Sequence, residues 1–150
     1  MNHKDWVQQF RAAALLSSED PRRSSAALIA LANESNQPRE SSISEWHEHQ
    51  ALGTAGMVLE EAGHMAEALT IYQRTLELSL TQARYWTRAT ADVLGAMALI
   101  HFREGRDAEG TAAAREALVF LGRAPHGSTV LARVVQELAK RERVAVKETP

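Results

Sequence analysis

The stretch GHMAEALTIYQRTLEL, residues 63–78, opens with a glycine and continues with apolar residues three and four positions apart. That spacing places the apolar side chains on one face of an amphipathic helix. Whether the stretch recurs decides the fold, because a helical unit repeated at a fixed distance builds a stack of helical hairpins.

The glycine that opens this stretch does recur. Pro21, Gly63 and Gly105 are evenly spaced along the chain, and their spacing defines a period of about 42 residues. Superposition on this period aligns mostly small residues, which indicate a helix face that approaches a neighbour closely. The aligned triplets are Ala26, Ala68 and Gly110, then Ala30, Tyr72 and Ala114, then Asn33, Thr75 and Ala117. The pattern is clearest in the middle unit and weaker on either side.

The composition and the punctuating residues predict an all-α chain. Alanine occurs 26 times, aromatic residues make up 5%, and long runs of strand-favouring residues are missing. Asp20 is a predicted N-cap before Pro21, Ser128 is another, and Ser42 with Glu45 forms a capping-box pattern. The predicted helices are residues 4–16, 21–37, 42–63, 65–78, 82–104, 107–121 and 128–142. We expect one domain, residues 1–142, and a frayed C-terminal tail, residues 143–150.

The middle unit resembles the tetratricopeptide repeat, a helix-turn-helix unit with small residues, a turn glycine and an aromatic residue at set positions. The matching residues are Gly56, Gly63, Ala68, Tyr72, Leu76 and Leu78. The third unit keeps Gly105, Ala117 and Leu118, with Ala98 and Ala114 in place of the first glycine and the aromatic residue. The resemblance covers roughly residues 4–121, with strong motifs only over about 50–80. The period is longer than is usual for the family, and the longer first helices are similar to those of the kinesin light chain type.

The resemblance implies a right-handed α-solenoid of three tetratricopeptide-like hairpins and a C-terminal capping helix. It also implies a non-catalytic scaffold or adaptor that binds a peptide, helix or domain of another protein on its concave face. The residues that would line this face are Gln50, Gly53, Met57, Glu60, Glu61, Asp92, Gly95, Leu99, Phe102 and Arg103. The Lys and Asn residues of the family's carboxylate clamp are absent from these positions, so binding of chaperone tails is not expected.

An alternative function is a small bacterial regulatory or toxin-neutralising protein of the immunity type, dedicated to one folded partner. Conserved neighbouring genes would distinguish it from a scaffold. An enzyme is not expected, and a deep polar pocket with convergent titratable groups would argue against that expectation.

Several residues of types found in metal-binding or catalytic sites are better explained by a structural role. His47 and His49 are two positions apart and project about 200° from each other on a helix, so both cannot coordinate the same metal ion. We expect them at a solvated helix start. Glu60 and Glu61 are expected at the solvated end of the third helix, and His101 is expected to be partly buried with its hydrogen bonds satisfied. His64 has no evident acid or nucleophile beside it, and the phosphate-binding pattern GxxxxGK[ST] does not occur. No metal or cofactor is predicted.

Trp6, Trp46 and Trp86 are also evenly spaced, but their spacing is shorter than that of the turns. The three side chains therefore cannot share one face, and we expect them to be packing anchors.

The apolar residues of two helices lead to further predictions. The stripe of Val130, Leu131, Val134, Val135 and Leu138 makes the last helix amphipathic, which favours a cap over the end of the stack. Residues 93–102, VLGAMALIHF, are apolar in nearly every direction. We expect Leu99 and Phe102 to lie uncovered beside Met57 and to bind a partner's helix or a second copy of the chain, forming a homodimer through the fifth helix.

Charge and composition limit the partners. The formal net charge is −2 with both signs interspersed, and the basic runs at residues 22–23 and 140–143 are short. Neither nucleic acid nor a membrane is therefore an expected partner. The N-terminal apolar patch, residues 12–16, is too short for a signal-peptide core. We predict a cytoplasmic protein, and the excess of arginine over lysine suggests a bacterial source.

Overall fold

The computed structural model of the chain describes residues 1–35, 42–81, 87–122 and 128–148. These residues form seven α-helices and one 3-10 turn, and no strand occurs among them, which confirms the all-α prediction. The helices are α1 (His3–Leu15), α2 (Pro21–Ser35), α3 (Ser42–Glu61), α4 (Met65–Thr81), α5 (Thr87–Arg103), α6 (Asp107–Leu121) and α7 (Thr129–Glu148), and the 3-10 turn is Leu16–Ser18.

Local side-chain caps explain where several helices begin. The side-chain oxygens of Asn2, Asp20 and Ser128 each accept a hydrogen bond from a backbone N–H three residues later, at 2.9, 3.0 and 3.3 Å. Each bond satisfies one of the N–H groups that a helix leaves without an internal partner. The N-caps predicted at Asp20 and Ser128 are confirmed.

Two glycines end helices in the left-handed backbone region. Gly63 has φ of 82° and Gly105 has φ of 71°, values that glycine adopts without the steric cost that a β-carbon adds. The closing backbone hydrogen bonds run from His64 N–H to the Leu59 carbonyl (2.8 Å) and from Arg106 N–H to the His101 carbonyl (2.9 Å). The α3–α4 and α5–α6 connections are therefore built alike.

Some predicted bounds differ from the structure. α7 continues to Glu148, past the predicted end at residue 142, because residues 143–148 contain neither glycine nor proline. α4 likewise extends to Thr81. The predicted features at Pro38, Gln82 and Trp86 and the side chains of the Ser42 capping box lie outside the described residues.

The chain divides into two compact units, Met1–Leu78 and Ser79–Pro150. In the first unit, the indole N–H of Trp6 donates to Ser35 Oγ (3.0 Å), and the hydroxyl of Ser24 donates to the carbonyl of Ala13 (2.8 Å). These bonds satisfy polar groups where α1 meets α2. Two clusters of buried apolar residues lie in this unit, and their members are Trp6, Ala13, Leu28, Leu31, Ala32, Ala51, Leu52, Ala55 and Val58.

The core of the second unit is built by α5, α6 and α7. The stripe of α7 packs inward through Leu131, Val134 and Leu138, which are buried, whereas Val135 is exposed. The central cluster consists of Ala98, Leu99, Phe102, Ala114, Val134 and Leu138. The amphipathic stripe of the last helix therefore covers apolar surface of α5 and α6.

Candidate partner-binding surface

One face of α3 is left open along most of the helix. The residues on this face are spaced four, three, four and four positions apart, as expected for one side of a helix. We call them the α3 stripe: Trp46, Gln50, Gly53, Met57 and Glu61. Trp46 and Met57 are 48% and 53% exposed, although both are large apolar side chains. Four of the predicted partner-binding residues therefore lie on one accessible face.

Glu60, the fifth residue predicted on α3, lies at the edge of the stripe. It is half-buried, and its carboxylate accepts a hydrogen bond of 3.0 Å from the hydroxyl of Tyr72 on α4. The expectation that Glu60 is a simply solvated helix end is wrong, because the adjacent helix supplies a donor. Glu61 is exposed as expected.

Two glycines of α3 differ in what surrounds them. A β-carbon on Gly56 would lie 2.5 Å from Cε1 of Tyr72, so glycine is required where α4 crosses α3. A β-carbon on Gly53 would meet no atom within 4 Å among the described residues. Packing in the described part of the chain therefore explains Gly56 but not Gly53.

Trp46 was expected to be a packing anchor, and its exposure at the surface was not predicted from the sequence. Its ring contacts the rings of Trp6, with 6.1 Å between centroids, and of His47, at 5.3 Å. Trp6 fills the core as expected, so Trp46 lies over it with half its surface accessible. The exposure of Trp46 could not be read from its spacing, because Trp6 and Trp46 occupy different faces of their helices.

The polar residues beside Trp46 are buried, which corrects the expectation of a solvated helix start. His47 is 6% exposed, and its Nε2 lies 2.9 Å from Nδ1 of His3 on α1. Glu48 is also buried, and it accepts a hydrogen bond of 3.0 Å from Arg74 on α4. These residues contact α1 and α4 and so fix the orientation of α3. The α3 stripe remains on the exposed side of the helix.

Three of the five partner-binding residues predicted on α5 are not available to a partner. Gly95, Leu99 and Phe102 are buried beneath α7, and the Arg141 guanidinium stands 3.9 Å from the centre of the Phe102 ring. The expectation that Leu99 and Phe102 are uncovered is wrong, because α7 packs on this face of α5. Asp92 is half-buried and Arg103 is exposed.

The charged groups near α7 are largely paired with each other. Arg141 donates to Asp107 (2.9 Å) and to Glu137 (2.6 Å), and Lys140 donates to Glu137 (2.7 Å). The hydrogen bonds from Lys140 and Arg141 hold the pKa of Glu137 below its usual range. In the first unit, Arg22 pairs with Glu67 at 2.9 Å. Both basic runs thus include residues engaged with carboxylates.

The histidines do not converge on a reaction site within the described part of the chain. Burial lowers the pKa of His49 to about 4. Burial, and then the nearby charge of Arg106, lower the pKa of His101. The Nδ1 atom of His101 is buried without a hydrogen-bond partner among the described residues, which differs from the expected satisfied histidine. No group of three or more histidine, aspartate or glutamate side chains in the described ranges could hold a metal ion.

No helix within the described ranges is both long enough and apolar enough to cross a bilayer. No protein-family model matches the chain, and no curated protein matches it in sequence. The resemblance to the tetratricopeptide repeat rests on the motif residues alone and stays a prediction.

Proposed function

We propose that the chain is a non-catalytic protein-binding domain that holds a partner protein on the α3 stripe. The observation that carries this proposal is Gly53. A glycine in the interior of a helix costs roughly 0.5–1 kcal/mol relative to alanine, and nothing within 4 Å among the described residues requires it here. A partner that approaches α3 closely at this point would explain the glycine, because any larger residue would hold the partner away.

The residues on either side of Gly53 support the same function. Trp46 offers a large ring whose packing against Trp6 and His47 limits its freedom, and tryptophan is enriched among residues that dominate binding energy. Met57 offers a flexible apolar side chain that adapts to varied partner surfaces. Gln50 and Glu61 add polar groups, so the stripe offers both apolar and polar contacts to a partner.

We further propose that the chain is a cytoplasmic, tetratricopeptide-like protein. Its right-handed solenoid would consist of the hairpins α1–α2, α3–α4 and α5–α6, closed by α7. The matching turns at Gly63 and Gly105 support this arrangement.

An affinity-capture experiment with matched variants tests the function. Tagged wild type, Met57→Asp and Val119→Asp would each be incubated with lysate of the organism that encodes the chain. Val119 is a suitable control because it is an exposed apolar residue on α6, outside the stripe. We expect wild type and Val119→Asp to retain the same protein and Met57→Asp to lose it, with unchanged circular dichroism. Retention of every captured protein by Met57→Asp would contradict the proposal.

The identity of the captured protein separates the two functions considered from the sequence. A small toxin domain bound in equal amount would favour a toxin-neutralising protein. A helical or extended segment of a larger assembly would favour a scaffold.

A further inference from the structure

The α3–α4 and α5–α6 hairpins have equivalent hydrogen bonds at positions one sequence period apart. The N–H of Gly63 donates to the carbonyl of Glu60 (3.0 Å), and the N–H of Gly105 donates to that of Phe102 (3.2 Å). The bonds that follow each glycine are related by the same period. Positions on α3 and α5 therefore correspond at this offset: Gly53 with Gly95, Met57 with Leu99, Glu60 with Phe102, and Glu61 with Arg103.

In the second unit, α7 covers the α5 face that corresponds to the α3 stripe. A β-carbon on Gly95 would lie 2.9 Å from Cγ1 of Val130, near the start of α7. Arg141, later in α7, stands over the ring of Phe102, near the end of α5. The start of α7 thus meets the middle of α5, and a later part of α7 meets the C-terminal end of α5, so the two helices run in parallel.

On α3 the corresponding positions are open and differ in charge. No atom in the described part of the chain lies within 4 Å of a β-carbon on Gly53, and Met57 is exposed where Leu99 is buried. At the far end, the carboxylates of Glu60 and Glu61 replace Phe102 and Arg103. A basic side chain placed as Arg141 is would therefore meet negative charge on α3.

We infer that the α3 stripe binds an amphipathic helix of a partner protein, running parallel to α3 as α7 runs along α5. The helix carries valine or leucine over Gly53 and Met57, and lysine or arginine about three turns later beside Glu60 and Glu61. This inference rests on the proposed function and names the class of ligand for that site. A second copy of the chain is disfavoured, because α7 could reach it only by uncovering Leu131, Val134 and Leu138.

A synthetic peptide with the sequence of residues 128–144, STVLARVVQELAKRERV, is a suitable probe, because it has the required apolar stripe and cation. Fluorescence anisotropy of the labelled peptide, titrated with the full chain, should show saturable binding. We expect binding at least ten-fold weaker to Gly53→Leu and to Met57→Asp, and unchanged binding to Val119→Asp. Circular dichroism of each variant checks that the chain stays folded.

A charge exchange tests the parallel orientation. The peptide carrying Arg141→Glu should bind wild type at least three-fold more weakly, and Glu61→Arg in the full chain should restore its affinity. A photo-cross-linker at position 130 of the peptide should label α3 near Gly53. Labelling near Glu61 instead would overturn the parallel arrangement.

Three further outcomes would overturn the inference. Binding that is insensitive to Gly53→Leu and Met57→Asp would mean that the peptide displaces α7 from α5. A dimer of the wild-type chain that Met57→Asp dissociates would assign the stripe to a second copy. A partner captured through the stripe by the lysate experiment, with no peptide binding, would refute the helical ligand and leave the proposed function intact.

Discussion

At the scale of single residues, Gly53 and Gly56 are a matched pair with opposite expected effects. Gly56→Ala places a β-carbon 2.5 Å from the Tyr72 ring, so the ring must move and its hydrogen bond to Glu60 is disturbed. We expect this overpacking to lower the free energy of unfolding by about 1–3 kcal/mol. Gly53→Ala should raise it by about 0.5–1 kcal/mol, because alanine favours helix and the space is open. Urea denaturation of both variants measures the difference, and equal effects would contradict the assigned register of α3 and α4.

The half-buried His49 makes stability depend on pH. Burial lowers its pKa from 6.5 to about 4 in the folded chain. As the pH falls below about 6.5, the unfolded chain takes up a proton that the folded chain refuses until about pH 4. The free energy of unfolding should therefore fall by about 2 kcal/mol from this group between pH 7.5 and pH 5. Urea midpoints at both pH values should show that His49→Gln loses less stability than wild type. An equal loss in both proteins would refute the assignment.

At the scale of helices, the sequence predicted where elements begin and end better than which faces they bury. Asp20, Ser128, Gly63 and Gly105 act on the backbone within a few residues, so their effects can be predicted from local sequence. Residues 93–102 are apolar in nearly every direction, and Leu99 and Phe102 were predicted to lie uncovered, because periodicity does not name the element that covers each face. The structure shows that α7 does so for Leu99 and Phe102. The same limit explains why Trp46 was not predicted to be exposed.

Because α7 covers apolar residues of α5, deletion of α7 should destabilise the second unit. Deletion of residues 128–150 removes Leu131, Val134 and Leu138 from the second unit and exposes Leu99 and Phe102. We expect a truncated chain that loses helical signal beyond the deleted residues and aggregates, since a contiguous apolar patch becomes accessible. Circular dichroism and light scattering measure both effects. A soluble, monomeric truncation with normal helicity in the remaining residues would contradict the role of α7.

At the scale of the whole molecule, the burial of α5 removes the basis for the predicted homodimer through this helix. Ten of its residues are buried, including Leu99 and Phe102, and α6 and α7 supply their neighbours. Charged groups of both signs are interspersed along the chain, and the formal net charge is −2. The sequence therefore gives no broad charged surface that would drive self-association in place of the contact through α5. Association of the chain must then use surface that remains accessible, of which the α3 stripe is the part described above.

The double variant Leu99→Ser and Phe102→Ser separates a core role from an interface role. Removal of a buried leucine costs about 2–5 kcal/mol and removal of a buried phenylalanine about 3–5 kcal/mol. Together these costs are comparable with the whole stability of a small domain, although neighbouring losses do not add strictly. We therefore expect the variant to lose helical circular dichroism, whereas the exposed pair Met57→Ser and Val119→Ser should retain it. Wild type should have a mass near 16.5 kDa by light scattering. A wild-type dimer converted by the Leu99 and Phe102 changes into a folded monomer would show instead that these side chains form an interface.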